Sequence, residues 1–151
     1  MTRLNKSVAA RCPGNRFITF FYGVIDPKGG TITYCNAGHN PPLLVHVDGT
    51  VQELAGGGII LGVFASAAYE ERQVRFGPGD SLVMFSDGVT EACRPGTEED
   101  FGEARLAQVL ASQPLQSAEG LVMTAMAALH EWTGDGSYAD DVTLVIARRT
   151  N

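Results

Sequence analysis

Turn signals punctuate the first half of this chain and bound segments of strand chemistry. They stand at Asp26-Pro27-Lys28-Gly29-Gly30, at Asp48-Gly49 and at Gly77-Pro78-Gly79-Asp80. Each joins a residue that frees or fixes φ to one whose side chain bonds its own backbone. The runs between them have strand chemistry. Phe17 to Ile25 is aromatic and β-branched, and Thr31 to Asn36 alternates, with Ile32 and Tyr34 on one face and Thr31, Thr33 and Cys35 on the other. Asp48-Gly49 is a strong hairpin signal between Leu43–Val47 and Thr50–Leu54. A further strand is expected over Glu70–Phe76, and Ser81–Ser86 reads as a buried one because Leu82, Val83, Met84 and Phe85 run without polar interruption.

The periodicity then changes. Leu4 to Ala10 reads as the tail of a helix stopped by Pro13-Gly14, but sustained helical spacing begins only in Phe101–Leu110, where Leu106, Val109 and Leu110 recur at three and four. Ser117 is a natural N-cap for a second helix carrying Val122, Ala125, Leu129 and Trp132, and Gly134-Asp135-Gly136 ends it. Val142–Ala147 returns to strand character. The pattern predicts one domain over residues 1–151 of α+β architecture, with mostly antiparallel strands and two amphipathic helices packed on an outer face.

Composition removes several functions. A chain of 151 residues, 44% apolar and 19% charged, can bury an ordinary core. Its formal charge of -6, with no basic cluster beyond Arg148-Arg149, argues against a phosphate-tracking nucleic-acid surface. The weakly polar stretch from Gly56 to Ala68 falls short of the roughly 20 apolar residues of a membrane span. Met1 to Cys12 has no apolar core of a secretory signal, so a cytoplasmic protein is expected. Cys12, Cys35 and Cys93 are odd in number and widely spaced, which suggests reduced thiols.

Position singles out a few acids. Asp87 follows one buried strand, and Asp140-Asp141 precedes another. If those strands are antiparallel neighbours, all three carboxylates share one rim of the sheet. Hard oxygen ligands gathered there would suit magnesium or manganese, yet Asp-Gly and Asp-Asp are also ordinary turn residues. Local chemistry alone does not decide between these readings. Asn36 and His39 lie in a loop between strands, where Asn36 can close the loop through backbone groups. Glu91, Glu98, Glu99 and Asp100 read as a solvated segment before a helix. No nucleotide-binding glycine loop and no Gly-x-Ser-x-Gly nucleophile elbow is present in the sequence.

Several segments taken in order resemble one family. They are Phe17-Ile18-Thr19-Phe20, Tyr34-Cys35-Asn36-Ala37-Gly38-His39-Asn40-Pro41-Pro42, Leu61-Gly62, Gly79-Asp80-Ser81, Ser86-Asp87-Gly88-Val89-Thr90-Glu91-Ala92, Phe101-Gly102 and Asp140-Asp141-Val142-Thr143-Leu144-Val145. Together they are similar to the SpoIIE-like branch of the PPM phosphatases, metal-dependent serine/threonine protein phosphatases related to the eukaryotic type 2C enzymes. The resemblance implies a β-sandwich flanked by helices, with two divalent cations, manganese or magnesium, at one end. It makes Asp87 and Asp140 metal ligands and catalytic residues, with Gly88 keeping the turn tight around the metals and Asp141 supporting Asp140. His39 stands where type 2C relatives carry an acid for a third metal, and is expected to organise its loop or touch substrate.

In the family mechanism a water held between two metals becomes a hydroxide that attacks phosphorus in line. The family's early Gly-Asp and Asp-Gly-His-Gly metal-binding segments are not in this sequence, which therefore corresponds to the C-terminal part of the domain and a partial sandwich. The expectation is a phosphoserine/phosphothreonine phosphatase of bacterial sigma-factor signalling, acting on a phosphorylated protein such as an anti-sigma-factor antagonist. This chain alone would be weak or inactive, with the second cation site short of ligands. The competing expectation is a non-catalytic module that binds a partner or forms a homo-oligomer through exposed sheet edges; a small-molecule binding fold without phosphate chemistry is a third.

Overall fold

The computed structural model describes residues 1–12, 16–134 and 140–150. In chain order they form α1 (Thr2–Arg11), β1 (Phe20–Asp26), β2 (Thr31–Ala37), β3 (Leu43–Val45), β4 (Val51–Glu53), β5 (Gly57–Gly58), β6 (Arg72–Arg75), β7 (Ser81–Phe85), α2 (Asp87–Thr90), α3 (Glu103–Ala111), α4 (Ala118–Thr133) and β8 (Leu144–Arg148). Two units divide the chain, one holding Met1–Pro41 with Leu54–Phe76, the other Pro42–Glu53 with Gly77–Asn151.

In the first unit β2 is the hub. It pairs antiparallel with β1, from Phe20↔Ala37 to Asp26↔Thr31, and antiparallel with β6, from Thr31↔Arg75 to Tyr34↔Arg72. The β1–β2 reversal forms where the turn residues predict it: Asp26 Oδ1 accepts from the backbone N–H groups of Lys28 and Gly29, both at 3.0 Å. Ile32 and Tyr34 are buried as the alternation requires, but so are Cys35, Asn36 and Ala37. The cause is β5, a two-residue parallel partner at Asn36↔Gly57 and Ala37↔Gly58. A Cβ on Gly57 would stand 2.7 Å from the Asn36 nitrogen, and φ there is +128°, so only glycine lets this backbone approach. Buried Asn5 of α1 clamps the following loop, donating from Nδ2 to Phe64 O (2.8 Å) and accepting at Oδ1 from Gly62 N (2.9 Å).

The second unit is an antiparallel sheet in the order β4-β3-β7-β8. Helices α3 and α4 pack on it. Leu106 and Leu110 from α3, with Leu121, Ala125 and Leu129 from α4, meet Leu43, Val45, Val83 and Phe85 in one core. Each such leucine contributes about 1.5–3 kcal/mol by leaving water. The buried stripe of α4 runs through Leu121, with Val122 only half-buried, one position from the spacing expected. Ser117 caps α4 as its sequence predicts, its hydroxyl accepting from Gly120 N at 3.1 Å. Gly134 follows the helix at φ +58°, and Asp135 and Gly136 of the expected stop lie outside the described residues.

The Gly77–Asp80 turn is built around a buried carboxylate. Asp80 accepts from Gly77 N (2.7 Å) and Val47 N (3.3 Å), and lies 3.0 Å from His46 Nδ1. The expected α+β architecture with mostly antiparallel strands is therefore present, and both predicted amphipathic helices cover one face of the second sheet.

Candidate active site

Strands β7 and β8 are antiparallel neighbours, paired from Ser81↔Arg148 to Phe85↔Leu144. The end of one and the start of the other therefore share a rim. Beyond the last pair, Ser86 N donates to Thr143 O at 3.0 Å. The Ser86 hydroxyl donates to Asp141 O and accepts from Thr143 N, both at 2.9 Å. These bonds lay the Asp140–Asp141 segment beside the start of α2.

Gly88 makes the fit close. A Cβ there would stand 2.4 Å from Asp141 O and 3.3 Å from the Asp140 carbonyl carbon, so any larger residue would push the two segments apart. Asp87, Asp140 and Asp141 are all exposed. Asp87 Oδ1 accepts from Gly88 N at 3.0 Å and Asp140 Oδ1 from Asp141 N at 2.7 Å. Oxygen donors, open to solvent and carried by two abutting segments, fit a hard cation that keeps several of its waters. Among the described residues, however, no group of three or more His, Cys, Asp or Glu side chains gathers closely enough to hold a metal ion. The rim thus offers part of a ligand set.

Behind α2, residues 91–102 fold back on themselves. Phe101 N donates to Ala92 O (2.9 Å) and Gly102 N to Thr90 O (2.8 Å). Trp132 Nε1, from α4, also donates to Ala92 O, at 3.2 Å. The Arg105 guanidinium lies 3.7 Å over the Trp132 ring and donates to the carbonyls of Asp100 and Phe101. Arg94 stacks on the same ring at 5.2 Å. The acidic segment is solvated as expected: Glu91, Glu98, Glu99 and Asp100 are exposed. Cys93 donates its thiol to Asp100 Oδ1 at 3.2 Å, and that bond, ahead of burial and the nearby carboxylates, raises the thiol above its ordinary value.

Asn36 and His39 come together in the first unit. Asn36 Nδ2 donates to His39 O (2.9 Å) and His39 N donates to Asn36 Oδ1 (2.8 Å), so the buried amide closes the loop through backbone groups. His39 Nδ1 lies 3.3 Å from the Thr19 hydroxyl. Asp87, Gly88, Asp140 and Asp141 form their own group in the second unit. Sequence reasoning gave no site role to Ser86, Trp132 or Arg105. A serine between a buried strand and Asp-Gly resembles a routine N-cap, and the stacking partners are far apart in the chain.

The pattern of the Stage II sporulation protein E (SpoIIE) family matches residues 1–150. This chain belongs to the SpoIIE family. Its relatives include the phosphoserine phosphatase RsbU of Bacillus subtilis, 33% identical over 99% of this chain and 44% of RsbU. A solved structure of the RsbU and RsbW domains of Rv1364c from Mycobacterium tuberculosis superposes with a TM-score of 0.74 at 28% identity, covering 96% of this chain and 40% of that one. The SiaA-PP2C domain of Pseudomonas aeruginosa superposes with a TM-score of 0.80 at 21% identity, over 97% of this chain and 57% of that domain, a likeness of fold. This SpoIIE-family chain spans less than half the length of the curated relatives it matches.

Proposed function

We propose that this chain is the C-terminal part of one PPM phosphatase domain that hydrolyses phosphoserine or phosphothreonine in a protein. The observation that carries the reading is the abutment of Asp87 on the Asp140–Asp141 segment at one rim, in a chain of the SpoIIE family. The 33% identity to a phosphoserine phosphatase supports the reaction, and the unbroken family match through both units supports a single domain. Asp87 and Asp140 would hold the divalent cations, manganese or magnesium, with Asp141 steadying Asp140 and Gly88 leaving room between the segments. Bound there, such cations activate water and neutralise charge on the phosphoryl oxygens. The chain's own part would be to present the carboxylates, open to solvent, on two segments that the Ser86 bonds and the Gly88 approach keep side by side.

The proposed substrate is a phosphorylated protein, such as an anti-sigma-factor antagonist, and the proposed location the cytoplasm; the likeness to the phosphoserine phosphatase RsbU supports a phosphoserine substrate. The -6 charge argues against nucleic acid, and among the described residues no helix is long and apolar enough to cross a membrane. With only part of the ligand set here, this chain alone should turn over p-nitrophenyl phosphate with manganese slowly or not at all, while a longer protein carrying the family's early metal-binding segments should be active and lose activity on Asp87→Asn or Asp140→Asn. A longer protein indifferent to both substitutions would sink the assignment; vigorous turnover by the 151-residue chain would sink its incompleteness.

One observation favours a second role, as a module that associates with another copy. Strand β1 lies at the edge of its sheet and exposes Phe20, Tyr22, Val24 and Ile25. Edges of that kind recruit strands.

A further inference from the structure

We propose that Ser86 is a positioning residue that sets the separation of the Asp87 and Asp140 carboxylates, and through it the affinity of the rim for a divalent cation. The inference rests on the metal reading above. Ser86 occupies the N-cap position of α2, with extended backbone at φ -84° and ψ 165°, yet its side chain makes no capping bond. The nearby amides are otherwise engaged: Gly88 N donates to Asp87 Oδ1, and Val89 N to the Ser86 carbonyl. The hydroxyl is turned across the rim instead, donating to Asp141 O and accepting from Thr143 N.

That placement is specific. The β7–β8 ladder closes at Phe85↔Leu144, two residues before Asp87 and three residues after Asp141. The Ser86 backbone adds one bond to the ladder, and its hydroxyl adds two that reach the segment carrying the acids. Gly88 sets how near the segments can come, because its hydrogen faces the Asp141 carbonyl. The hydroxyl holds them there. Removing it leaves an exposed carbonyl and amide that water can satisfy, so the fold should survive while the carboxylates lose their fixed spacing. Groups that orient ligands from behind commonly change metal affinity by about 10–100-fold when removed.

The test uses the longer protein that carries the family's early metal-binding segments, so that the ligand set is complete, and compares its unsubstituted chain with Ser86→Ala, Ser86→Thr and Asp87→Asn in two measurements. Manganese binding is titrated by electron paramagnetic resonance, and amide hydrogen exchange at Thr143 is followed by NMR without metal. The expected result is loss of binding in Asp87→Asn and about tenfold weaker binding in Ser86→Ala. Faster Thr143 exchange should accompany the alanine change, and threonine, which keeps the hydroxyl, should restore both readouts. If Asp87→Asn abolishes binding while Ser86→Ala binds as the unsubstituted chain does, this inference is wrong and the metal reading stands. Failure of threonine to restore what alanine loses also overturns it, since the hydroxyl would not then be the cause. Equal manganese binding by the unsubstituted chain and Asp87→Asn removes the metal reading, and the inference with it.

Discussion

Asp48 shows how one side chain can fix a reversal. Its Oδ1 accepts from both the backbone N–H and the hydroxyl of Thr50, at 2.9 and 2.7 Å. Those bonds, the hydroxyl's first, favour the ionised form and lower the carboxyl below its usual value despite opposing desolvation. A group whose folded value is depressed contributes stability above the unfolded aspartate range, and that stability is lost as the pH falls through the folded value. The unsubstituted chain should therefore have a higher urea midpoint than Asp48→Asn at about pH 6, with the gap closing as the pH falls through the folded value. A gap that persisted unchanged in acid would mean the charge is not what Thr50 recognises. At this scale the sequence was readable where function is local. The Asn36 loop closure follows from residue type and neighbours, whereas the shared rim of Asp87 and Asp140-Asp141 was conditional on β7 and β8 pairing, and the role proposed for Ser86 depends on that same pairing.

Elements were legible to the extent that their cause lies within them. The hairpin turns and both long helices carry their own signals, and they form within a few residues of the expected places. Strand ends shrink because the pairing partner, not propensity, decides where a ladder stops: Leu43–Val47 yields only Leu43–Val45. Strand β5 is two glycines recruited by β2 through close approach, and no periodicity can reveal it. The grip of α4 on the segment behind α2 is equally non-local, and it can be tested. Trp132→Phe removes the bond to Ala92 O and weakens the Arg105 stack, while Phe101 N still satisfies that carbonyl. The expected loss is about 1–2 kcal/mol in urea unfolding. Leu129→Ala, which empties core volume, should cost more, about 2–5 kcal/mol. Equal losses would mean that Trp132 acts as plain core.

For the whole chain, the distribution of apolar surface matters most. Phe17, Tyr22, Val24, Val63 and Phe64, all in the first unit, are among its most exposed large hydrophobic residues. With β1 at the sheet edge, the chain should self-associate as concentration rises, measured by light scattering. Val24→Lys, which places a charge on that edge, should shift it toward monomer. A chain that stays monomeric at all concentrations would remove the second role proposed above. Sequence alone suggested exposed sheet edges through the resemblance, but that β1 is such an edge, exposed on both faces, required coordinates.

The order in which the parts occur along the chain has a further consequence. Asp87 precedes α3 and α4, whereas Asp140 and Asp141 arrive only with the approach to β8. A ribosome releases them in that sequence, so a nascent chain stalled after α4 would already have its helices and three strands of the second sheet but lack the opposing carboxylates. The rim would be assembled last, on a scaffold already folded to receive it.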